Sequence, residues 1–441
     1  MIDKFKDSLA KALGLNSHWK SLRKAWADKE FPLKVFGAKG PWAAAMLANL
    51  APLSKGSMLI VTPSDGDAQS FAQDISLFCE NVHQFPWWGT MLYKGISPQA
   101  SIFGRRATIL AELVSGERCI VVASLRAVLG FLPPPGEIAD NILRLRPGDK
   151  LDTTSVKMRL PEFGYSRVPR VSVPGEFALR GEVLDIYPPG SEQAIRVVFS
   201  WDEIEEIKSF DPFSQASSIK LDHAVLHPLR ELIWDSDKTE RLRLHIGQEE
   251  DEVIRSSLES DGRFRGEELF YPLVFDNPSN LPEYLGDEGV TVFIDMERLF
   301  ISESAMLKEY EELYARAKGE GRSIPKPDRL VMPLQTALHV CGHHVEFHGL
   351  NTDVKAASFQ LASEPGRSFF GNIAFLKDEL ISLLSNGYKV FVFAESESQS
   401  QRIAYLVRDI DGVEVGSAAI SAGFMLPEAR IIAISENEIF G

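Results

Sequence analysis

Phosphate chemistry is the first reaction type the residues suggest. A short apolar run, Leu33–Phe36, leads through Gly37-Ala-Lys-Gly40 into a helical pattern near Trp42–Leu50. A working phosphate loop in that layout needs G-x-x-x-x-G-K-[ST], with Lys on the terminal phosphates and a hydroxyl on magnesium. Counting from Gly37, the second Gly position holds Trp42, the Lys position Ala43 and the Ser/Thr position Ala44. Lys39 comes too early to substitute, and the Trp42 indole would fill the space a phosphate needs. Gly37, Gly40, Trp42, Ala43 and Ala44 therefore read as a degenerate nucleotide loop that binds no ATP. The competing reading is an ordinary strand-to-helix turn.

Two further clusters have reactive residue types. Thr291–Glu297 is an apolar run ending in Asp295 and Glu297, where a magnesium-positioning carboxylate could sit. Without the Lys and hydroxyl of the loop it has no partner, and a structural strand end is the simpler reading. Cys341–His348 contains Cys341, His343, His344, Glu346 and His348, all metal-ligand types. His343 and His344 would point to opposite faces of a strand, and no second Cys or His pair lies nearby. No G-x-S-x-G element occurs. The expectation is no catalytic residue, no metal and no cofactor.

Arginines collect instead in one strand-rich stretch. Arg167, Arg170, Arg180 and Arg196 punctuate segments with alternating apolar residues. Read as one continuous strand over Phe177–Ile186, period-2 geometry puts Arg180, Glu182 and Leu184 on one face, and Val183, Asp185 and Tyr187 on the other. Arginine beside an exposed apolar residue suits protein recognition, through bidentate contacts to carboxylates. In the alternative reading Leu184 is core and the arginines are simply solvated.

The elements that must position these residues follow from the pattern. A chain of 441 residues corresponds to about three domains at roughly 100–200 residues each. Short apolar runs (Leu33–Phe36, Met58–Val61, Cys119–Ala123) alternate with helical patterns, which indicates a doubly wound parallel sheet. Pro133-Pro-Pro-Gly136 breaks it. The strand-rich stretch follows, then a mixed region with a strand at Val290–Ile294 and a charged helix at Ser304–Lys318. The last hundred residues or so are again α/β, ending after a strand at Ala429–Ser435 without a closing helix, as if cut inside a longer protein. The expected units are 1–137, an insert at 138–228, a continuation at 229–340 and a further α/β unit at 341–441.

Charge narrows the function. Lys plus Arg is 47 and Asp plus Glu is 62, so 47 − 62 = −15. Nonspecific nucleic-acid affinity comes from neutralising phosphates with Lys and Arg, so a chain this acidic is a poor general DNA binder. From Asn141 to Arg170 the balance reverses to seven basic residues against three acidic ones; this island is either a docking face or an ordinary solvated surface. No apolar run of about 18 residues exists, which excludes a membrane-spanning helix. Three cysteines far apart give no disulfide framework and suggest a reducing compartment, the cytoplasm.

Several runs carry a resemblance. Phe85–Pro98, Pro174–Pro188, Arg196–Glu205 with Phe210-Asp-Pro212, Ala422–Pro427 and Ile434–Gly441 resemble the bacterial transcription-repair coupling factors, the Mfd family. The middle runs also resemble the domain that this family shares with the excision-repair protein UvrB. The order and spacing fit the coupling factors better than UvrB, whose ATP loop is intact. The resemblance implies a degenerate helicase-like (P-loop type) parallel-sheet domain, a small inserted antiparallel-rich α+β domain and a separate small α/β domain. It further implies that the insert docks UvrA, through Arg180, Leu184, Arg167, Arg170 and Arg196, and is shielded by contact with the C-terminal part of the longer protein. ATP-driven translocation on double-stranded DNA and displacement of RNA polymerase would belong to regions outside this stretch. UvrB's lesion-clamping hairpin is not expected, because Phe85–Gly104 is too short for it. The alternative is an ATP-dependent helicase or nuclease subunit like UvrB itself.

Overall fold

The computed structural model describes residues 1–191, 193–349 and 358–441. Met58–Thr62 and Ile120–Ser124 are buried along their whole length, as strands covered on both faces must be. They are neighbours in a seven-stranded sheet of order Ser358–Gln360, Leu33–Phe36, His344–His348, Val290–Phe293, Met58–Thr62, Ile120–Ser124, Val82–Phe85. All neighbouring pairs are parallel. Alternate side chains feed two cores: Leu59, Val61, Val121 and Ala123 on one face, Met58, Ile60, Ile120 and Val122 on the other. The doubly wound reading therefore holds.

The insert joins this body through a two-strand ladder, Leu143–Leu145 against Ala224–Leu226. Beyond it lies a six-stranded sheet of order Ser217–Leu221, Glu203–Phe210, Ala194–Ser200, Val183–Ile186, Glu176–Arg180, Ser166–Arg167. It is antiparallel except for its last pair. The helix Thr153–Glu162 covers one face, where Val156 and Leu160 meet Phe177, Leu184, Ile186 and Val197. Pro189 seats against helix Ala100–Val114 at Gly104, where a Cβ would lie 2.2 Å from the Pro189 ring.

Three expectations are corrected. The boundary at 340/341 is misplaced, because His344–His348 and Ser358–Gln360 pair on either side of Leu33–Phe36 in the first sheet. The last unit's own sheet starts at Glu364–Pro365 and continues through Phe424–Leu426, Ile431–Ser435, Lys389–Ala394 and Val413–Ser417. The final strand is followed by a short helix, Glu436–Phe440, at whose start the Glu438 carboxylate accepts from the Ser435 N–H at 2.9 Å. The charged helix is also longer than its charge pattern suggested. It runs Met296–Gly319 because the Asp295 carboxylate caps it, accepting from the Arg298 N–H.

The last unit shares a core with the first. Phe5, on helix Ile2–Leu15, packs its ring 5.2 Å from Phe391 and 4.8 Å from Phe393, and Lys4 pairs with Glu414 at 2.6 Å.

Where the insert's chain returns, five charges are crowded together. Glu231, Glu267 and Glu268 are buried against two cations, Arg106 and Arg230. The third carboxyl has no cation of its own. Burial, with the nearby Glu267 charge adding to it, pushes the Glu268 pKa up to about 7. A carboxyl whose folded pKa lies above its unfolded value contributes stability below the unfolded value, and that contribution is lost as pH rises through the folded one. Glu268→Gln is therefore expected to be more stable than the parent at about pH 8.5, by on the order of 2 kcal/mol, and to lose that advantage by about pH 5. Urea unfolding at the two pH values checks this, and a pH-independent difference would contradict it.

Candidate docking surface

The stretch from Glu176 to Ile186 is not one strand but two. Glu176–Arg180 and Val183–Ile186 form a hairpin with Gly181-Glu182 as its loop, and Gly181 has φ +58°. The turn overturns the predicted alternation. Cross-strand partners share a face, and the register pairs Arg180 with Val183, Ala178 with Asp185 and Leu179 with Leu184. Arg180 thus shares its face with Val183 and Asp185, while Leu184 points into the core and is wholly buried. Leu184 is withdrawn as a surface contact.

Asp185 organises the opposite face. Its side chain is fully buried, yet it takes an Arg180 Nη2 bond at 2.8 Å and Arg196 Nε and Nη2 bonds at 2.7 and 3.1 Å. Arg196 is further committed: it stacks over Phe210 at 4.6 Å and donates to the Gln215 carbonyl and Ser217 Oγ at 3.2 Å each. Its role is to hold the face together. Arg180 remains 52% exposed, a guanidinium oriented from below with donors left for a partner. Val183 pairs with Val198 on the next strand, and both are partly exposed. Arg167 is exposed on the edge strand, and Arg170 donates to the Phe213 carbonyl at 2.6 Å.

The turn at Gly37 lies in the parallel-sheet body, away from this surface. Only Gly37, Ala38 and Lys39 separate strand Leu33–Phe36 from helix Gly40–Leu50. Ala43 and Ala44 are fully buried. Trp42 donates from Nε1 to the Leu361 carbonyl at 2.8 Å and lies 6.3 Å from Phe424 of the last unit. Nearby a cavity of about 170 Å³ is lined by Lys39, Thr62, Asp295, Arg298 and His348. Arg298 is already engaged by Asp67 at 2.8 and 3.1 Å. Ser421 closes one side, donating to Asp74 from its N–H at 2.7 Å and its hydroxyl at 2.5 Å. Burial pushes the Asp74 carboxyl up to about 6.

In the histidine cluster, Glu346 meets His344 at 3.6 Å, His348 at 2.8 Å and Lys34 at 3.2 Å. Hydrogen bonds from His344 and His348, with Lys34 adding to them, hold its carboxyl well below the usual range. The cluster is a polar network that joins two neighbouring strands, Leu33–Phe36 and His344–His348. Among the described residues, no group of three or more His, Cys, Asp or Glu is arranged to hold a metal, and no helix is long and apolar enough to cross a membrane.

One comparison falls on this same insert. A family described as the UvrB interaction domain matches residues 143–232. The transcription-repair-coupling factor of Borreliella burgdorferi is 28% identical over 98% of this chain and 38% of its own length. That of Bacillus subtilis is 23% identical over 92% of this chain and 38% of its own. The Rickettsia typhi factor is 32% identical over 51% of this chain and 20% of its own. Over nearly its whole length the chain is similar to transcription-repair-coupling factors. It spans about two fifths of the length of the relatives that it matches most fully.

Sequence reasoning missed Asp185 as the organiser and Val183 with Val198 as the apolar part of the face. The signal was present: Gly181-Glu182 between two alternating runs is a two-residue hairpin loop. Asp185→Ala leaves two guanidinium groups without their common acceptor. It is expected to cost about 2–3 kcal/mol, below the ~3–5 typical of a fully buried pair because both arginines reach solvent. Urea unfolding measures this, and a loss under about 0.5 kcal/mol would make Asp185 incidental to the face.

Proposed function

We propose that this chain is the recruitment module of a transcription-coupled nucleotide excision repair factor, and that it docks UvrA through the open face of the inserted sheet. The observation that carries the reading is Arg180. It is half-exposed, aimed by a buried carboxylate and set beside Val183 and Val198, within the stretch matched as a UvrB interaction domain. A pre-oriented guanidinium beside a small apolar patch fits a partner carboxylate flanked by apolar side chains.

In this reading the module itself is non-catalytic. The short three-residue turn and the packed Trp42 support it, and nucleotide chemistry would belong to the rest of the longer protein. That remainder would translocate on double-stranded DNA with ATP and displace RNA polymerase. The same sheet face is also available to be covered by the C-terminal part of the longer protein. A cytoplasmic setting is consistent with free Cys79, Cys119 and Cys341.

Two measurements test the reading. Arg180→Ala should weaken UvrA binding at least about tenfold, or ~1.4 kcal/mol. The melting temperature should barely move, because Arg196 still holds Asp185 and a half-exposed pair adds little. Arg167→Ala and Arg170→Ala should do less. Unchanged affinity in a folded Arg180→Ala chain would move the docking face elsewhere. Separately, titrating a fluorescent ATP analogue with magnesium should give no saturable signal. Micromolar affinity would revive a UvrB-like ATPase.

A further inference from the structure

Two adjacent hairpins of the inserted sheet turn in the same way, but with different residues. The first loop is Gly181-Glu182, between paired Arg180 and Val183; the second is Trp201-Asp202, between paired Ser200 and Glu203. The first loop residue has φ +58° in both cases. Glycine takes that conformation without penalty, whereas for a bulky side chain it is an outlier. Tryptophan therefore stands where backbone geometry favours glycine. It gains nothing from packing in return, since it is 90% exposed.

The loop that carries it is held firmly. Residues 148–151 lie alongside: the Gly148 N–H donates to the Ile204 carbonyl at 2.7 Å, and the Leu151 N–H to the Asp202 carbonyl at 2.6 Å. The two tips are joined through Glu182, whose carbonyl accepts from the Phe199 N–H at 2.9 Å and whose carboxylate accepts from the Trp201 N–H at 3.4 Å. Trp201 therefore projects from a braced platform at the same end of the sheet as Arg180. Aromatic side chains presented rigidly lose little entropy on binding and dominate interface energetics.

We propose that Trp201 is the aromatic anchor of the docking surface, filling an apolar pocket on the partner next to the carboxylate that receives Arg180. The inference rests on the UvrA docking reading and adds the pocket to it. A backbone rule broken at a fully exposed site makes sense where the side chain is used outside the protein.

The test is Trp201→Gly in the 441-residue chain, with Arg180→Ala and the parent alongside, against purified UvrA. The expected result is a melting temperature equal to or above the parent's, because glycine relieves the turn, with UvrA affinity reduced at least about tenfold. Parent-like affinity in Trp201→Gly, while Arg180→Ala loses binding, overturns the anchor and leaves the docking reading standing. A parent chain that does not bind UvrA overturns both. A marked fall in melting temperature for Trp201→Gly would assign the indole to the fold and also overturn the proposal.

Discussion

Arg106 carries a charge that no protein interior removes, and the junction of the molecule is built around it. The side chain is 2% exposed and meets Glu231, itself fully buried. Burial pushes the Glu231 carboxyl up, and the Arg106 charge opposes that shift. The guanidinium is covered by the Phe85 ring at 4.3 Å and the Trp88 ring at 3.8 Å, and donates to the Pro86 carbonyl at 2.8 Å. Beside it, Arg230 repeats the arrangement with Glu267 and the Phe103 ring at 4.2 Å. Buried ion pairs of this kind contribute less to net stability than to specifying one arrangement, because any other leaves a charge without a partner. Here that arrangement fixes where the insert leaves the body. Arg106 is on helix Ala100–Val114, and Glu231 follows the neck strand Ala224–Leu226. Thr108 of the same helix donates to the Pro189 carbonyl at 2.5 Å and contacts His227 at 3.1 Å. Burial drives the His227 pKa down to about 4, which keeps the ring neutral.

With the insert braced at its neck, the far face of its sheet is open at the end that carries the two hairpin tips, while further along it Val171, Ala178, Ala194 and Phe210 form a small buried cluster. On the covered face, Leu184, Phe177 and Val197 give the core that helix Thr153–Glu162 closes. On the other, Asp185 takes the place of a core residue, and two arginines compensate its burial. Of those two, Arg196 is used up by internal contacts and Arg180 is not. The division between structural and available arginine follows from position: Arg196 sits mid-sheet over Phe210, whereas Arg180 ends its strand at a loop.

Much of this was legible in the residues. Apolar runs separated by helical spacing marked the parallel sheet. Local turn chemistry was readable but misapplied at Gly181, and one unrecognised turn reversed which residues share a face with Arg180. Other features depend on distant partners and leave no local trace. Nothing near His344 shows that its strand inserts between Leu33–Phe36 and Val290–Phe293. Nothing near Arg106 names Glu231 as its counter-ion. Trp201 reads as an ordinary residue until its backbone angle and exposure are known.

The central claim is that the open face of the inserted sheet receives the partner. Hydrogen–deuterium exchange of the chain alone and with saturating UvrA tests it most directly, because it maps every amide without substitution. The account predicts new protection at the Gly181-Glu182 and Trp201-Asp202 tips and along Val183–Ile186 and Ala194–Ser200, with the seven-stranded sheet unchanged. Protection confined to the parallel-sheet body or to the last unit, with the insert unaffected, would contradict it.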